Sequence, residues 1–392
     1  RRDHGPFAPP EAMIPRSVGQ RRRDHGPFAP PEAMIPRSVG QRRRDHGPFA
    51  PPEAMIPRSV EDLSIGWIGA GAFSSAVLYP AMRTAGFTRF TAVASAGGLS
   101  ARRFGERAGF EKVLPDGAAV ATAPGLDVVV IATPHDSHAA LTVAALTAGR
   151  DVWCEKPVAL SLPELDAVAG AVADSGRVLS VGLNRRFSPA ARIAREHLDT
   201  RSAPITLIYR VAAGSIAAGH WYADRRQGGR LLGEVCHFID TCCYLSPSPV
   251  VDVAARAGRA GRRESLLCDD VTVILTHADG STSVIIYSSA RPRGVRKERI
   301  EALAGDVHLV LDDFREVLVG GSPVWRGAQD KGHDAAVAAF RDRILDPHPG
   351  SATDDRLVSS RLVLLAAGQL GQLGQSLRKP DRDPEATLNY GE

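Results

Sequence analysis

Short apolar runs alternate with amphipathic segments through the first half of the main body of the chain. Each run ends in glycine, proline or polar residues, and the runs cover residues 64–71, 90–94, 126–133 and 152–153. Patterns typical of helices follow at residues 76–85 and 139–148. The run at 126–133 is almost uniformly apolar, as in a strand that is buried on both faces. The pattern therefore predicts an α/β domain built on a mostly parallel sheet.

The second half of the chain changes to strict alternation of polar and apolar residues. Residues 270–289 alternate in this way around Asp279 and Gly280, which predicts a β-hairpin. Further strands are predicted at 178–181, 298–303, 307–312 and 315–319, and two helices are predicted from His333 through Ile344 and over 356–377. We therefore expect a second domain with a large, mainly antiparallel sheet.

Residues 1–60 contain a 21-residue unit that recurs almost unchanged, so that Asp3, Asp24 and Asp45 are equally spaced. Because the unit has four prolines and little apolar periodicity, we expect this extension to be disordered. The near identity of the copies favours a recent tandem duplication, or an extension upstream of a start at Met55, over a folded repeat.

Charge and cysteine content narrow the function classes. Residues 1–60 hold eleven Arg and six acidic residues, a charge of +5, whereas the whole chain has +4. The remainder is therefore nearly neutral at −1, which gives no support to a nucleic-acid surface. Five cysteines without a CxxC pair predict reduced core thiols and a cytoplasmic protein. No apolar run approaches the about 20 residues of a transmembrane helix.

A glycine-rich turn follows the first predicted strand. Gly69, Gly71, Ala72 and Phe73 belong to a G-x-G-x-x-G frame in which Ser74 replaces the third glycine. The first two glycines allow a tight turn and a close approach of the backbone to a pyrophosphate at the helix N-terminus. Since the turn lies between a strand and a helix, it predicts dinucleotide binding.

The end of the second predicted strand bears on the choice of cofactor. An acidic residue there would bind the adenosine ribose of NAD, but the chain continues with Ser95 and reaches its next charges at Arg102 and Arg103. Arginine can pair with a 2′-phosphate, so NADP is slightly favoured over NAD. The alternative is that these arginines only form a solvated helix face.

The apolar run at 126–133 leads into a polar loop. Thr133, Pro134 and His138 of this loop are expected to face the nicotinamide ring, because the loop lies at the carboxyl edge of the sheet. His135 and His138 have a spacing that could suggest a metal, but no further ligands lie nearby in the sequence. We therefore expect no metal.

The sequence DVWCEKPVAL, residues 151–160, joins a buried strand directly to Glu155, Lys156 and Pro157. Pro157 ends the strand because it has no N–H. Glu155 and Lys156 would thus lie where ligands bind in an open α/β sheet, and both are predicted cofactor contacts. The alternative is a solvated Lys-Pro loop.

Four motifs in order, GAGAFS, ATPHDSH, CEKP and GLNRRF, resemble the Gfo/Idh/MocA oxidoreductase family (glucose-fructose oxidoreductase and inositol dehydrogenase). The resemblance covers residues 61 to about 375 and is greatest to the Gfo-like half of bi-domain alcohol dehydrogenase fusions. It implies a Rossmann domain at 61–180, a substrate and oligomerisation domain at 181–378 whose final helix could pack back on the first domain, and a tail at 379–392. It also implies that Lys156 lies in the active site.

The resemblance also points to residues in the second domain. Asn184 takes a cleft position, Arg185 is expected to meet phosphate or substrate, and Trp221 is a predicted substrate contact. Arg186 is expected to form only a surface salt bridge.

The segment from Gly228 to Asp240 is expected to carry the acid–base chemistry. His237 takes the catalytic histidine position of the family, and its near-neutral pKa suits proton transfer. Many relatives have an aspartate where this chain has Gly233, so Glu234 is expected to orient His237 or contact the substrate. Asp240, three residues after His237, is a predicted substrate contact, although it could instead satisfy a buried histidine.

These features predict an NAD(P)-dependent oxidoreductase that acts on a sugar, sugar derivative or cyclitol, with Lys156, His237 and Glu234 as catalytic residues. A homo-oligomer through the second sheet is expected, with no nucleic-acid or membrane partner. Two alternatives remain open: a nucleotide sensor of the same fold, and a binding module formed by the repeats.

Overall fold

The computed structural model describes residues 59–217, 220–258, 269–346 and 356–376. The predictions made for the tandem repeats up to residue 58, for Cys268 and for the tail at 379–392 therefore lie outside the described residues.

The first sheet has six parallel strands in the order β3-β2-β1-β4-β5-β6. Its strands are Ser64–Ile68 (β1), Arg89–Ala94 (β2), Lys112–Val113 (β3), Val128–Ile131 (β4), Asp151–Cys154 (β5) and Leu179–Val181 (β6). This is the strand order of a doubly wound dinucleotide-binding fold, whose ligand lies outside the carboxyl ends of the strands where the order reverses. Here that point is between β1 and β4.

Five helices connect these strands: Tyr79–Thr84 (α1), Gly98–Ala108 (α2), Gly117–Ala121 (α3), His138–Thr147 (α4) and Leu162–Ser175 (α5). The helix predicted at 76–85 begins as a π-helical turn over Ser74–Leu78 and becomes α-helical only from Tyr79. Pro80 explains the change, because it has no N–H with which to continue an α-helical ladder.

The second sheet has eight strands in the order β14-β13-β12-β11-β7-β10-β9-β8. Its strands are Thr206–Ala212 (β7), Val250–Ala257 (β8), Val271–His277 (β9), Thr282–Ser288 (β10), Glu298–Ala304 (β11), Val307–Asp312 (β12), Glu316–Val319 (β13) and Ser322–Arg326 (β14). β7 and β10 pair in parallel, whereas the other neighbouring pairs of the described sheet are antiparallel. The predicted fold class, a parallel Rossmann sheet followed by a mainly antiparallel sheet, is confirmed.

Four helices belong to the second half of the chain: Pro189–Asp199 (α6), Cys236–Leu245 (α7), His333–Leu345 (α8) and Arg356–Ser376 (α9). Two of them return to the first sheet. Phe340 in α8 lies with its ring centroid 5.6 Å from Trp153, and Arg356 at the start of α9 donates to the Val181 carbonyl oxygen at 2.9 Å. These contacts hold the carboxyl edge of the first sheet against the second domain.

Along the described ranges, we find no helix that is both long and apolar enough to span a membrane.

Candidate functional site

The glycine-rich turn is built for a close approach to the backbone. Gly69 has a φ of +101°, and a Cβ atom there would lie 2.2 Å from the carbonyl oxygen of Ala132. The Ser74 hydroxyl donates to the Gly69 carbonyl oxygen at 2.7 Å, so the serine in place of the third glycine closes the turn. Around Gly71, by contrast, the position of a Cβ atom is open, which leaves room for a ligand. The exposed Ala72 and Phe73 complete a surface that fits a pyrophosphate.

A cavity of about 470 Å³ lies between this turn and α2. It is lined by Ala70, Gly97, Leu99, Ser100, Arg103, Phe104 and Arg107. Ser95 lies at its edge, with its hydroxyl 3.1 Å from that of Ser100. Arg103 and Arg107 line this cavity, and because they are four residues apart they lie on one face of α2. Arg102 is exposed on the same helix, and its contact with the cofactor stays a prediction.

The loop after β4 is held by hydrogen bonds within itself and to the loop after β5. The Thr133 and Ser137 hydroxyls are 2.7 Å apart, and Pro134 is exposed. His138 is fully buried, with its ring nitrogens 2.8 Å and 2.9 Å from the carbonyl oxygens of Pro157 and Thr133, and burial lowers its pKa. The predicted cofactor contact of His138 is therefore wrong: it ties two loops together, and its ring nitrogens already face backbone oxygens.

His135 faces the second domain. Its Nδ1 donates to the Gln227 carbonyl oxygen at 2.7 Å, and burial lowers its pKa to about 3. Its ring lies 4.7 Å from that of Trp221, which is 46% exposed. Across the described parts of the chain, no three His, Cys, Asp or Glu side chains form a set suited to a metal ion.

Lys156 lies at the carboxyl end of β5 and reaches across to the second domain. Its ammonium donates to the Gly233 carbonyl oxygen at 2.8 Å, and the Tyr222 hydroxyl donates to the same oxygen at 3.4 Å. Burial alone would lower the pKa of Lys156, but the neighbouring Tyr222, Cys236 and Glu155 outweigh it and raise the pKa. Lys156 is thus a charged ammonium at the junction of the two domains.

Glu155 lies beside Lys156, directly after β5. Its side chain is buried, accepts a bond from Trp153 Nε1 at 3.2 Å and packs against Gly182, where a Cβ atom would lie 2.6 Å from its Oε1. Burial raises its pKa. Glu155 fills the space between β5 and the chain after β6, and its contact with the cofactor stays a prediction.

Gly233 positions Lys156 through its backbone carbonyl oxygen, since position 233 has no acidic side chain. A Cβ atom at Gly233 would lie 2.9 Å from Tyr222 Cε1 and 3.0 Å from His135 Cε1, so the two rings occupy the space of a side chain. The sequence did not single out Tyr222, since nothing in the local pattern distinguishes it from a surface aromatic residue.

The residues expected to carry acid–base chemistry lie in the π-helical turn Leu231–Val235 and at the start of α7, but they face different partners. His237 is 8% exposed, and its Nδ1 has no hydrogen-bond partner among the described residues. Burial, together with Arg185, Lys156, His333 and Lys297, holds its pKa well below the ordinary value, so His237 is neutral. Glu234 instead accepts from the Tyr287 hydroxyl at 2.8 Å and lies 3.5 Å from Lys297 Nζ.

Two predictions on charged residues in this region are wrong. Asp240 is fully buried and bound through both oxygens to Arg186, at 2.9 Å and 2.5 Å, and so it is not a substrate contact. The salt bridge of Arg186 is therefore buried, and not on the surface as predicted. The sequence could not show this pairing, because 54 residues separate the two side chains.

Arg185 also has an internal partner instead of the expected phosphate or substrate. It donates to Glu298 at 2.7 Å and 3.0 Å, and this carboxylate also accepts from Tyr209 and Lys331, each at 2.6 Å. The cations hold the pKa of Glu298 well below its usual range, even though burial opposes them. Arg185 therefore anchors the edge of the second sheet, a correction of the predicted role.

Asn184 connects the cleft to the segment before α8. Its amide donates to the Lys331 carbonyl oxygen at 2.8 Å and to His333 Nε2 at 3.1 Å. The His333 ring in turn lies 6.0 Å from that of Phe73 in the glycine-rich turn. His333 thus links the nucleotide-binding turn to the second domain, a place that its position in the sequence does not reveal.

Comparisons with known proteins identify relatives of both domains. The oxidoreductase family with an NAD-binding Rossmann fold matches residues 63–183, and the Gfo/Idh/MocA C-terminal domain matches residues 205–304. Among curated relatives, the myo-inositol 2-dehydrogenase of Thermotoga maritima is 26% identical over 56% of this chain and 66% of its own length. The D-apiose dehydrogenase of Paraburkholderia graminis is 31% identical over 64% of this chain and 68% of its own length.

Solved structures show the same fold. Levoglucosan dehydrogenase in complex with NADH and levoglucosan superposes with a TM-score of 0.67 at 20% identity, over 80% of this chain and 97% of the other. GenD2 from gentamicin A biosynthesis in complex with NAD gives 0.66 at 21% identity, over 84% and 98%. The curated matches span about two thirds of each relative's length. The two family models together match more than half of the chain. The chain therefore belongs to the Gfo/Idh/MocA oxidoreductase family.

Proposed function

We propose that this protein is an NAD(P)-dependent dehydrogenase that transfers a hydride between nicotinamide and a hydroxyl-bearing carbon of a sugar or cyclitol. The observation that carries the proposal is the meeting of the Lys156 ammonium with Gly233, four residues before the neutral His237, at the junction of the two domains. The Gly69 turn and the adjoining cavity have the shape and donors to hold a dinucleotide. The nicotinamide, when bound there, accepts or returns the hydride.

His237 and Lys156 divide the proton chemistry. A neutral imidazole can accept the proton of the substrate hydroxyl, and its depressed pKa keeps it in this form at neutral pH. Lys156 remains an ammonium and stabilises the negative charge that develops on the substrate oxygen. The exposed Trp221 ring and the Asn184 amide are proposed substrate contacts beside these groups. Glu234 is proposed to support the site from the side on which Tyr287 and Lys297 contact its carboxylate.

The test uses myo-inositol, D-apiose and levoglucosan as a first substrate panel, with reduced nicotinamide followed by absorbance. Lys156→Ala and His237→Ala should each lower kcat by about 10²- to 10⁴-fold, while the Kd for NADH stays unchanged. His308 pairs with Leu303, at the end of β11 away from Glu298, so His308→Ala is the control and should leave kcat unchanged. If both site variants retain wild-type turnover, the proposed function is wrong.

The cofactor preference is proposed to be NADP. Arg103 and Arg107 line the cavity beside α2, and no carboxylate follows β2 that would repel a 2′-phosphate. Titration of NADPH and NADH by fluorescence should give tighter binding of NADPH, and Arg103→Ala with Arg107→Ala should remove the difference. Equal affinities in the wild-type protein would overturn this preference.

We further propose a homo-oligomer formed through the outer face of the second sheet. Ile208, Val284 and Ile274 lie side by side on β7, β10 and β9, and Ile208 and Ile274 are 42% and 39% exposed. Such a contiguous apolar row is unusual on the surface of a monomer. Light scattering should show an oligomer that Ile208→Lys dissociates and that Val358→Lys, at an exposed position of α9, does not. A monomeric wild-type protein would contradict the proposal.

A cytoplasmic location fits the buried free thiols of Cys154, Cys236 and Cys242. Fractionation of cells that produce the full chain should place it with the cytoplasmic proteins, and recovery in another fraction would contradict this.

A further inference from the structure

Arg230 is a buried cation that the proposed chemistry does not use. It follows Gly228 and Gly229, whose φ angles of +74° and +63° turn the chain into the segment that carries His237. Arg230 is 4% exposed, and its Nη2 donates to the Gly214 carbonyl oxygen at 2.6 Å. Its Nε and Nη1 have no hydrogen-bond partner among the described residues. The nearest carboxylate, Asp269, lies 3.7 Å from Nε, too far for a hydrogen bond, and is half exposed.

Arg230 lies at the edge of the second sheet that faces the first domain. Its guanidinium carbon is 5.5 Å from the centre of the Tyr287 ring at the end of β10. The Tyr287 hydroxyl donates to Glu234, and Lys297, just before β11, lies beside the same carboxylate. Since β7 and β10 are parallel and β11 runs against β7, these side chains share one edge with Arg185 and Glu298. Arg230 therefore borders the cleft that contains Lys156 and His237.

The charges along this edge do not balance. Glu234 is the carboxylate on which Lys297, Arg230 and Lys156 all act, and these cations together with the hydrogen bond from Tyr287 hold its pKa below the ordinary value although burial opposes them. Glu298 does not compensate the excess, because it is already bound by Arg185 and Lys331. Arg230, Lys297 and Lys156 thus bring three positive charges to this part of the cleft, against the two negative charges of Glu234 and the half-exposed Asp269.

Buried N–H donors without acceptors are rare in folded proteins, and water, an ion or a ligand usually supplies the missing acceptor. Nε carries one such donor and Nη1 two, and a guanidinium is suited to carboxylate and phosphate. We infer that Arg230, assisted by Lys297, binds an anionic group of the substrate, so that the preferred substrate is an acidic sugar derivative bearing a carboxylate or phosphate. This inference rests on the proposed dehydrogenase function and names the substrate class.

Matched sugars test it on the wild-type full chain with NAD⁺ and NADP⁺. The pairs are D-glucuronate and D-glucose, D-galacturonate and D-galactose, and D-glucose 6-phosphate and D-glucose, and the readout is kcat/KM. In at least one pair the acidic member should be favoured about tenfold or more, because the neutral member leaves the buried donors unpaired. Preference for the uronates identifies a carboxylate, and preference for the sugar phosphate identifies a phosphate.

Variants of Arg230 then assign the preference to this side chain. Arg230→Gln should lower kcat/KM for the favoured acidic sugar about tenfold or more, mainly through KM, so that the acidic and the neutral member of the pair have similar kcat/KM values. Arg230→Lys should restore part of the loss. The Kd for NADPH should be unchanged in both variants, and should Arg230→Gln fail to fold, the wild-type pairs and Arg230→Lys decide.

Two failures are distinguishable. If no pair favours its acidic member, or if Arg230→Gln keeps the acidic preference, the inference about Arg230 is overturned. The proposed function still stands in that case if neutral sugars are turned over and this turnover depends on Lys156. If Lys156→Ala and His237→Ala leave turnover unchanged, the proposed function itself fails and the inference falls with it.

Discussion

The buried pair of Asp240 and Arg186 gives the sharpest prediction about stability. Asp240→Asn keeps the size of the side chain but removes its charge, and thereby leaves the Arg186 guanidinium inside the protein without its carboxylate. The Asp240 side chain is 1% exposed and that of Arg186 is 9% exposed, so water cannot replace the lost contact. Breaking a buried pair from one side costs about 3–5 kcal/mol in the free energy of unfolding.

A matched surface pair is available on α6. Arg195 Nε lies 2.7 Å from Asp199 Oδ1, but Asp199 is 49% exposed, and such pairs contribute only about 0.3–0.5 kcal/mol. The assay is urea unfolding followed by tryptophan fluorescence. Asp240→Asn should lower the free energy of unfolding by about 3–5 kcal/mol and Asp199→Asn by less than about 1 kcal/mol.

The kinetics of the same variant separate the two roles considered for Asp240. As a structural residue it should leave KM of a confirmed substrate unchanged at temperatures where the protein is folded. An Asp240→Asn protein with wild-type stability and a raised KM would refute the reasoning and return Asp240 to the substrate site.

Three further predictions concern the site. Gly69→Ala should destabilise the protein by about 1–3 kcal/mol and weaken NADPH binding, because Gly69 has a φ of +101° and a Cβ atom there would overlap the Ala132 carbonyl oxygen. Gly71→Ala, where a Cβ atom has open space, is the control and should leave stability unchanged. Equal stabilities of the two variants would contradict this. Gly233→Ala should lower the free energy of unfolding by about 1–3 kcal/mol, because the new methyl group overlaps Tyr222 and His135, and it should reduce kcat. Adding Tyr222→Ala should restore part of the stability in thermal unfolding. A Gly233→Ala protein with wild-type stability would contradict the packing described. Since burial lowers the pKa of His135 to about 3, the unfolded chain binds its proton first as pH falls below about 6.5, and the free energy of unfolding should drop between pH 6.5 and 5 by up to about 1.4 kcal/mol per pH unit from this residue. His135→Gln, which keeps a donor for the Gln227 carbonyl, should flatten this slope in urea unfolding, and an unchanged slope would exclude His135 as its source.

The predicted elements that the structure reproduces are those specified by nearby residues. The glycine-rich turn, the strand before Lys156 and the hairpin around Asp279 each depend on a few consecutive side chains, and each lies within a few residues of its predicted bounds. The strands β3, β7, β8 and β14 were not predicted. β14 is short, contains Pro323 and is mostly exposed, so its place at the sheet edge depends on pairing with β13.

What the sequence determined by itself is the glycine-rich turn after the first strand, the hairpin around Asp279 and the place of Lys156 at the end of a strand, because chain geometry and local sterics act over a few residues. What only the tertiary structure decided is which charges face each other: Arg185 with Glu298, Arg186 with Asp240, and Lys156 with the Gly233 carbonyl. These partners are 54 to 113 residues apart. A carboxylate or cation has the same local pattern whether it is paired inside the protein or open to a ligand, and burial, which folding alone sets, makes the difference.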